Sequence, residues 1–284
     1  MKAMITDIKP MAIHDGPGIR TTVFFKGCGL KCLWCHNPET ISAAPCLAFY
    51  KDKCRNCLSC TGICHAHKVT DNRHIFDRES CISCGKCVSR CVHGALQLFG
   101  TEVTVEGLLP RLLEDRAFYE TTGGGVTLSG GECLLQADFC AALLAALKQE
   151  GIHTAVDTCC FVQKGALEKV LPYTDIFLVD IKAIDPQVHK VCTGQENGVI
   201  LDNIRFLDSI GANMEFRIPF VPEHNDKEIP AIHDFLKTLK GRYTVKVLPY
   251  HNYAGSKYAA IGAENTLPPM LPTDAQITEA EAYF

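Results

Sequence analysis

The chain has no run of 18 apolar residues, the length a helix needs to span a bilayer. Its opening, Met1-Lys-Ala-Met-Ile-Thr-Asp7, lacks the apolar core of an export signal. Positive charge is not in excess: 28 Lys and Arg stand against 32 Asp and Glu, a net charge of −4, which leaves no electrostatic footprint for nucleic acid. No Ser/Gly-rich or Pro-rich linker and no low-complexity segment occurs. No Ser/His/Asp or paired-carboxylate constellation stands out, so nothing suggests hydrolysis by a general base. These absences predict a cytoplasmic protein without nucleic-acid or membrane partners.

Cysteine is the residue in surplus, with 17 among 284 residues. A secreted disulfide protein would be shorter and would spread its cysteines, whereas here most fall into three tight tracts. Metal ligation in a reducing compartment is the better reading, and exposed iron–sulfur clusters imply an anaerobic or oxygen-protected setting. With 47% hydrophobic and 21% charged residues, the chain can bury a sizeable core. Its length suits one large α/β domain with an insertion, or two domains.

The first tract, Lys26-Gly-Cys-Gly-Leu-Lys-Cys-Leu-Trp-Cys-His-Asn-Pro-Glu39, brings Cys28, Cys32 and Cys35 together without a fourth cysteine. Three thiolates can hold three corners of a cubic 4Fe–4S cluster and leave one iron open to a substrate ligand. The alternative is structural zinc, with His36 as fourth ligand, but its adjacency to Cys35 makes a relaxed tetrahedron awkward. The second tract is Cys54, Cys57, Cys60, Cys64, and the third repeats its spacing 27 residues later as Cys81, Cys84, Cys87, Cys91. Two such runs are the fingerprint of a bacterial-ferredoxin fold with two further 4Fe–4S clusters. Each cluster takes its fourth ligand from the other run, which pairs Cys54, Cys57, Cys60 with Cys91 and Cys81, Cys84, Cys87 with Cys64. Neither run ends in Cys-Pro, since His65 and Val92 follow, and zinc ribbons are the alternative. Cys46 lies outside both runs and reads as a small hydrophobe.

The remainder alternates strand and helix. Strands are expected near Met4–Ile8, Thr21–Gly27, Gly125–Ser129, His153–Thr158, Ile176–Ile181, Met214–Pro219 and Thr244–Pro249. Helices are expected over Thr104–Tyr119 (kinked or started late by Pro110), Gln136–Gln149, Lys164–Leu171, Gly198–Ser209, Lys227–Leu239 and from Thr273 onward. The six strands from Thr21–Gly27 onward, most followed by helices, argue for a parallel sheet with right-handed crossovers, too few for a closed eight-fold barrel. The expectation is an α/β fold: a partial (β/α)6 barrel from residues 1–45 and 99–284, with a ferredoxin-like insert at 46–98. Unusual residues sit at the strand ends, where parallel folds keep their chemistry. They are Gly130-Gly-Glu132, Asp157-Thr-Cys-Cys160, Asp180 and Lys182 on one strand face, Glu215 and Arg217 on another, and His251. A mutual ion pair is the plain reading of Asp180 and Lys182, an N-cap that of Asp157, and a solvated loop residue that of His251.

The CxxxCxxC tract with Trp34 before its last cysteine resembles the signature of radical S-adenosylmethionine (SAM) enzymes. Its tail, Trp34-Cys-His-Asn-Pro-Glu39, behind His14-Asp-Gly-Pro-Gly-Ile-Arg20, resembles one branch, the activating enzymes of glycyl radical enzymes. The resemblance covers essentially the whole chain and implies the same (β/α)6 barrel. It implies an oxidoreductase that reductively cleaves SAM to methionine and a 5′-deoxyadenosyl radical, which takes hydrogen from a partner's glycine loop. The alternative is a radical SAM enzyme modifying another peptide or a small molecule. Gly130, Gly131 and Glu132 match the motif that holds the SAM ammonium, with Cys133 in place of the usual Pro. Asp157 matches a residue that orients SAM or binds a monovalent cation, with Cys160 where Gly is common. Asp180 and Lys182 match a carboxylate-binding motif, and Arg217, His251, Trp34 and His36 complete the SAM set. Asp15 is a candidate partner contact, and flavodoxin or ferredoxin is the expected electron donor. Relatives commonly run a short strand further, so the C-terminus is expected to be slightly clipped.

Overall fold

A computed structural model describes residues 1–284. Strand β1 (Lys2–Ala12) turns through Gly16-Pro-Gly18 into β2 (Arg20–Phe25). The insert contributes β3 (Cys46–Phe49), β4 (His67–Thr70), β5 (Arg73–Phe76) and β6 (Leu96–Phe99), followed by β7 (Thr101–Thr104). Helices α1 (Val105–Leu113) and α2 (Arg116–Thr122) lead to β8 (Gly125–Gly130), α3 (Ala137–Gln149), β9 (His153–Thr158), α4 (Lys164–Val170) and β10 (Ile176–Asp180). Then come α5 (Pro186–Thr193), α6 (Gly198–Ser209), β11 (Met214–Phe220), α7 (Ile229–Lys237), β12 (Tyr243–Pro249), α8 (Gly255–Ile261) and α9 (Asp274–Glu281). No helix is long and apolar enough to cross a membrane.

The main sheet runs β12-β11-β10-β9-β8-β2-β1-β7. Its six strands from β12 to β2 are parallel, and β1 and β7 extend it antiparallel. Strands β12 and β7 do not pair, so the barrel stays open, as six units require. Central strands β2, β8 and β10 are buried nearly throughout, polar residues such as Arg20, Thr22 and Thr127 included, because both their faces are covered. Edge strand β12 instead alternates, exposing Thr244 and Lys246. Helix α3 buries Phe139, Leu143, Leu144 and Leu147 at helical spacing, and the Phe139 ring meets Phe25 of β2 edge-on at 6.0 Å.

In the insert, β3 pairs with β6 and β4 with β5, both antiparallel. The insert leans on α8, where Ala48, Phe99 and Ala260 form a small core and Arg78 donates to Ala260 O at 2.7 Å. The single helix expected over Thr104–Tyr119 is instead two. The break falls after Leu113, where Asp115 accepts from Thr21 Oγ1 of β2 at 2.6 Å, and Pro110 sits inside α1. Pro110 is the sixth residue of α1, past the turn capped by Thr104, so the helix gives up one interior donor there, toward Glu106 O.

Three buried asparagines pin the loops at the strand ends. Asn203 Nδ2 donates to Cys160 O and Val162 O after β9, at 2.9 and 2.8 Å. Asn197 Nδ2 holds Ala183 O and Ile184 O after β10, at 2.9 and 2.8 Å. Asn225 Nδ2 joins Lys182 O to Pro219 O, at 2.8 and 2.6 Å. These amides satisfy carbonyls that no sheet ladder reaches. Asn203 also braces Cys160, which sits at φ +56°, a left-handed conformation costly for a residue with a side chain. Asn203→Ala should therefore lower stability by roughly 2–4 kcal/mol, since two buried acceptors lose their donor. Asn213→Ala, which removes an exposed donor, should cost under about 0.5 kcal/mol. Anaerobic chemical denaturation of both variants measures the contrast, and equal losses would contradict it.

Candidate active site

The parallel strands aim their C-terminal ends into one cavity of about 320 Å³. Cys28, Cys32 and Cys35 form part of its wall, on the loop that follows β2. Backbone bonds fix that loop: Gly27 N to Thr40 O at 2.7 Å, Lys31 N to Thr193 O at 2.8 Å and Leu33 N to Cys192 O at 2.9 Å. The last two acceptors are end carbonyls of α5, so this short helix serves as an anchor. From the far side Tyr258 donates to Cys35 O at 3.1 Å and Lys257 to His36 O at 3.2 Å.

Burial pushes the Cys32 thiol up to about 12 and Cys35 to about 11, with neighbouring thiols adding to both. Cys28 is held below the ordinary thiol value, chiefly by a hydrogen bond with Cys159. Three close thiols that resist ionising alone are a donor set suited to a metal centre, whose charge would deprotonate them. All 17 cysteines carry unpaired thiols.

Gly130 and Gly131 continue the wall beside the thiols. Gly130 has φ +119°, and a Cβ there would lie 2.3 Å from Phe25 N and O. A Cβ on Gly131 would lie 2.3 Å from Gly27 O. Through these glycines the end of β8 closes onto the cysteine loop, with Gly131 N bonded to Phe25 O at 3.0 Å and Glu132 N to Gly27 O at 2.8 Å.

Glu132, expected in the SAM set, lies behind the cavity wall. It is fully enclosed and does not line the cavity. Its oxygens accept from Leu134 N at 3.0 Å, Thr158 Oγ1 at 2.8 Å, Cys159 N at 2.9 Å and Cys159 Sγ at 3.1 Å. The carboxylate thus clamps β8 to β9, and burial raises its pKa. His251 also stays off the cavity surface. Its ring stacks 3.9 Å behind that of His36, which does line the cavity, and its Nδ1 is buried without a partner. Trp34 lines the cavity as well, packed on Cys192, Val221 and Tyr250.

The opposite wall carries the charges. Asp180 and Lys182 form an ion pair at 2.7 Å, and Lys182 is nearly buried. Burial works against the Lys182 charge, but Asp180 and the nearby thiols of Cys32 and Cys159 outweigh it and raise its pKa. Arg217 faces Asp157 at 3.6 Å and Glu215 at 3.3 Å and donates to His14 O. Burial lowers its pKa less than these carboxylates raise it. Asp157 is no helix cap: it accepts from Ser129 Oγ at 2.6 Å, and burial lifts its pKa to about 6 against the pull of Arg217. Asp15 joins the same cavity, held by Thr22 Oγ1 at 2.7 Å. Ser129, Cys159 and Tyr250 line it too, although the sequence alone singles none of them out as a ligand.

The insert repeats one local geometry. Asn56 and Leu58 are left-handed at φ 52° and 60°, and Ser83 and Gly85, 27 residues on, are left-handed at 51° and 73°. Cys60, raised first by burial, also feels the thiols of Cys54, Cys91 and Cys57. Cys87, raised to about 11 first by burial, feels Cys64, Cys81 and Cys84.

The glycine contacts give a direct test. Gly131→Ala should displace the cysteine loop, lowering both the thermal midpoint and the iron bound after anaerobic reconstitution. Gly198→Ala, with open space at its Cβ, should change neither for the worse. A Gly131→Ala protein with full iron and unchanged midpoint would contradict the close approach.

The family model of the Radical SAM superfamily matches residues 82–236. Over 92% of its length the chain is 40% identical to the trans-4-hydroxy-L-proline dehydratase activating enzyme of Clostridioides difficile, covering 88% of that protein. It is 38% identical to the choline trimethylamine-lyase activating enzyme of Oleidesulfovibrio alaskensis, across 99% of this chain and 94% of that one. Similarity to the benzylsuccinate synthase activating enzyme of Thauera aromatica is 38% identity over 91% and 82% of the two chains. Among solved structures, Streptococcus suis SuiB bound to precursor peptide SuiA shares the fold, with a TM-score of 0.52 at 14% identity over 90% of this chain and 42% of that one. A cysteine loop facing the strand ends of an open barrel, with relatives alike over nearly their whole length, places this chain in the radical SAM superfamily, among the activating enzymes of glycyl radical enzymes.

Proposed function

We propose that the cavity binds SAM against a 4Fe–4S cluster held by Cys28, Cys32 and Cys35, and that the chain activates a partner glycyl radical enzyme. The carrying observation is that three thiols and the Asp180–Lys182 pair share one cavity at the strand ends. When bound, the reduced cluster supplies the electron that splits the S–C5′ bond of SAM, leaving methionine and a 5′-deoxyadenosyl radical that takes a hydrogen atom from the partner's glycine.

The chain's own residues bind and orient. Among the charged side chains of the cavity, Asp15, Asp157 and Asp180 outnumber two cations, Lys182 and Arg217. SAM, with a sulfonium, an ammonium and a carboxylate, carries one positive charge in excess, the sign these side chains favour. Lys182 is the cavity cation whose charge acts on all three thiols, and it suits the α-carboxylate. The backbone of Gly130 and Gly131, rather than the Glu132 carboxylate, offers contact to the ammonium. The buried wall of Trp34, Leu30 and Tyr250 keeps water from the reacting atoms. The open barrel side admits the glycine loop as an extended peptide, with Asp15 near its path.

The repeated turns and grouped thiols of the insert favour two more 4Fe–4S clusters, one on Cys54, Cys57, Cys60 and Cys91 and one on Cys64, Cys81, Cys84 and Cys87. They would relay electrons from flavodoxin or ferredoxin. The named relatives activate a dehydratase, a lyase and a synthase at similar identity. What they have in common is radical formation on glycine rather than any one partner reaction.

Lys182→Met should weaken SAM binding about tenfold or more while the cluster's iron is retained. Lys190→Met, an exposed change, should leave binding unaltered. Equilibrium dialysis with labelled SAM measures both. Mixed anaerobically with SAM, a reductant and candidate glycyl radical enzymes, the protein should raise a glycyl radical doublet in the electron paramagnetic resonance (EPR) spectrum of one of them. SAM cleavage without a doublet in any partner would favour another peptide or a small molecule as substrate.

A further inference from the structure

Two histidines of the insert have no part in the chemistry described so far. His67 and His74 face each other across the β4–β5 hairpin, with His67 Nδ1 2.9 Å from His74 Nε2. The other nitrogen of His74, Nδ1, lies 3.6 Å from Cys54 Sγ. The His74 backbone N donates to Asn56 Oδ1 at 3.1 Å, which seats the hairpin on the Cys54–Cys57 turn. Aromatic contacts fix both rings: Phe49 meets His74 edge-on at 5.0 Å, and Phe76 stacks on His67 at 5.1 Å.

Hydrogen-bond accounting then sets the tautomers. A cluster-bound Cys54 sulfur is a thiolate and can only accept, so His74 Nδ1 must carry a proton. In a neutral His74 ring Nε2 is then bare, and His67 Nδ1 must donate to it. That leaves His67 Nε2 as a bare acceptor, and this atom is indeed buried with no partner. The chain of donors makes this atom an acceptor, and no donor reaches it.

We propose that His74 is a positioning residue for electron transfer: oriented by His67, it donates an N–H···S hydrogen bond to Cys54 and raises the reduction potential of the cluster held by Cys54, Cys57, Cys60 and Cys91. The inference rests on the reading that the insert holds two clusters. A donor to a cluster sulfur stabilises the more negative, reduced state, which is how such potentials are tuned. The repeat supplies an internal control. Cys81, the counterpart of Cys54 in the second run, receives only the backbone N–H of Ser83, at 3.4 Å. Cys60, His67 and His74 also lie close enough to grip a metal ion among themselves, which would take Cys60 from its cluster.

The test uses the full chain, reconstituted anaerobically, with iron, sulfide and zinc measured first. Iron sufficient for the first site alone would overturn the two-cluster reading, and zinc in the insert would overturn the donor role. With the insert's clusters present, an EPR-monitored redox titration of His74→Phe should move one insert midpoint to lower potential and leave the other in place. His74→Gln, which keeps an N–H, should restore most of the shift. A fully loaded His74→Phe protein with both midpoints unmoved would overturn the proposal. A second measurement needs no substitution in the hairpin. In the Cys28→Ala/Cys32→Ala/Cys35→Ala protein, labelled with ¹⁵N-histidine, pulsed EPR of the reduced insert should show a histidine nitrogen coupled to one cluster. Absence of that coupling would overturn the proposal as well.

Discussion

Lys182 and Arg217 are both nearly buried, and the site depends on keeping them charged. A buried cation is costly unless opposite charges and hydrogen bonds surround it. Here Asp180 answers Lys182, while Asp157 and Glu215 answer Arg217. The arrangement has a carboxylate to spare, and Asp157, lifted to about 6, carries much of that strain. A cavity already set with cations and slightly over-supplied with anions suits a zwitterion with one extra positive charge. The same wall faces three thiols, so whatever binds the charges is carried against them.

The fold makes this possible through direction. Six parallel strands deliver their last residues to one end, and a single-residue register shift would turn Lys182 or Arg217 away from the cavity. Loops at that end cannot use the sheet ladder, and Asn197, Asn203 and Asn225 supply the missing donors instead. Glu132 does the same between β8 and β9. The floor is therefore rigid while the unpaired edges of β12 and β7 leave the side open, a combination that suits a macromolecular substrate.

Much of this is legible in the sequence, for identifiable reasons. A short apolar run such as Ile176–Val179, and the alternation of Met214, Phe216 and Ile218 about Glu215 and Arg217, read as strands, so the six-fold alternation shows through. Cysteine spacing is visible without any fold at all. Helices α5 and α8 escape because they are short and mixed in polarity, and the insert's strands because each has four residues. The surroundings of Glu132 and His251 are hidden for a deeper reason. A motif names a residue but not which way its side chain turns, and both turn into protein. The three asparagines leave no periodic trace, since an amide in a helix or loop reads as surface until its acceptors are known. Cys160 is the partial exception: standing where glycine is common, it signals the left-handed backbone found there.

The most direct test concerns the iron that three cysteines leave open. The EPR spectrum of the reduced, reconstituted protein should change when SAM is added, through one cluster only, and the Cys28→Ala/Cys32→Ala/Cys35→Ala protein should lose that response while its insert signals persist. A reduced spectrum indifferent to SAM, or a response that survives the triple substitution, would contradict the account at its centre.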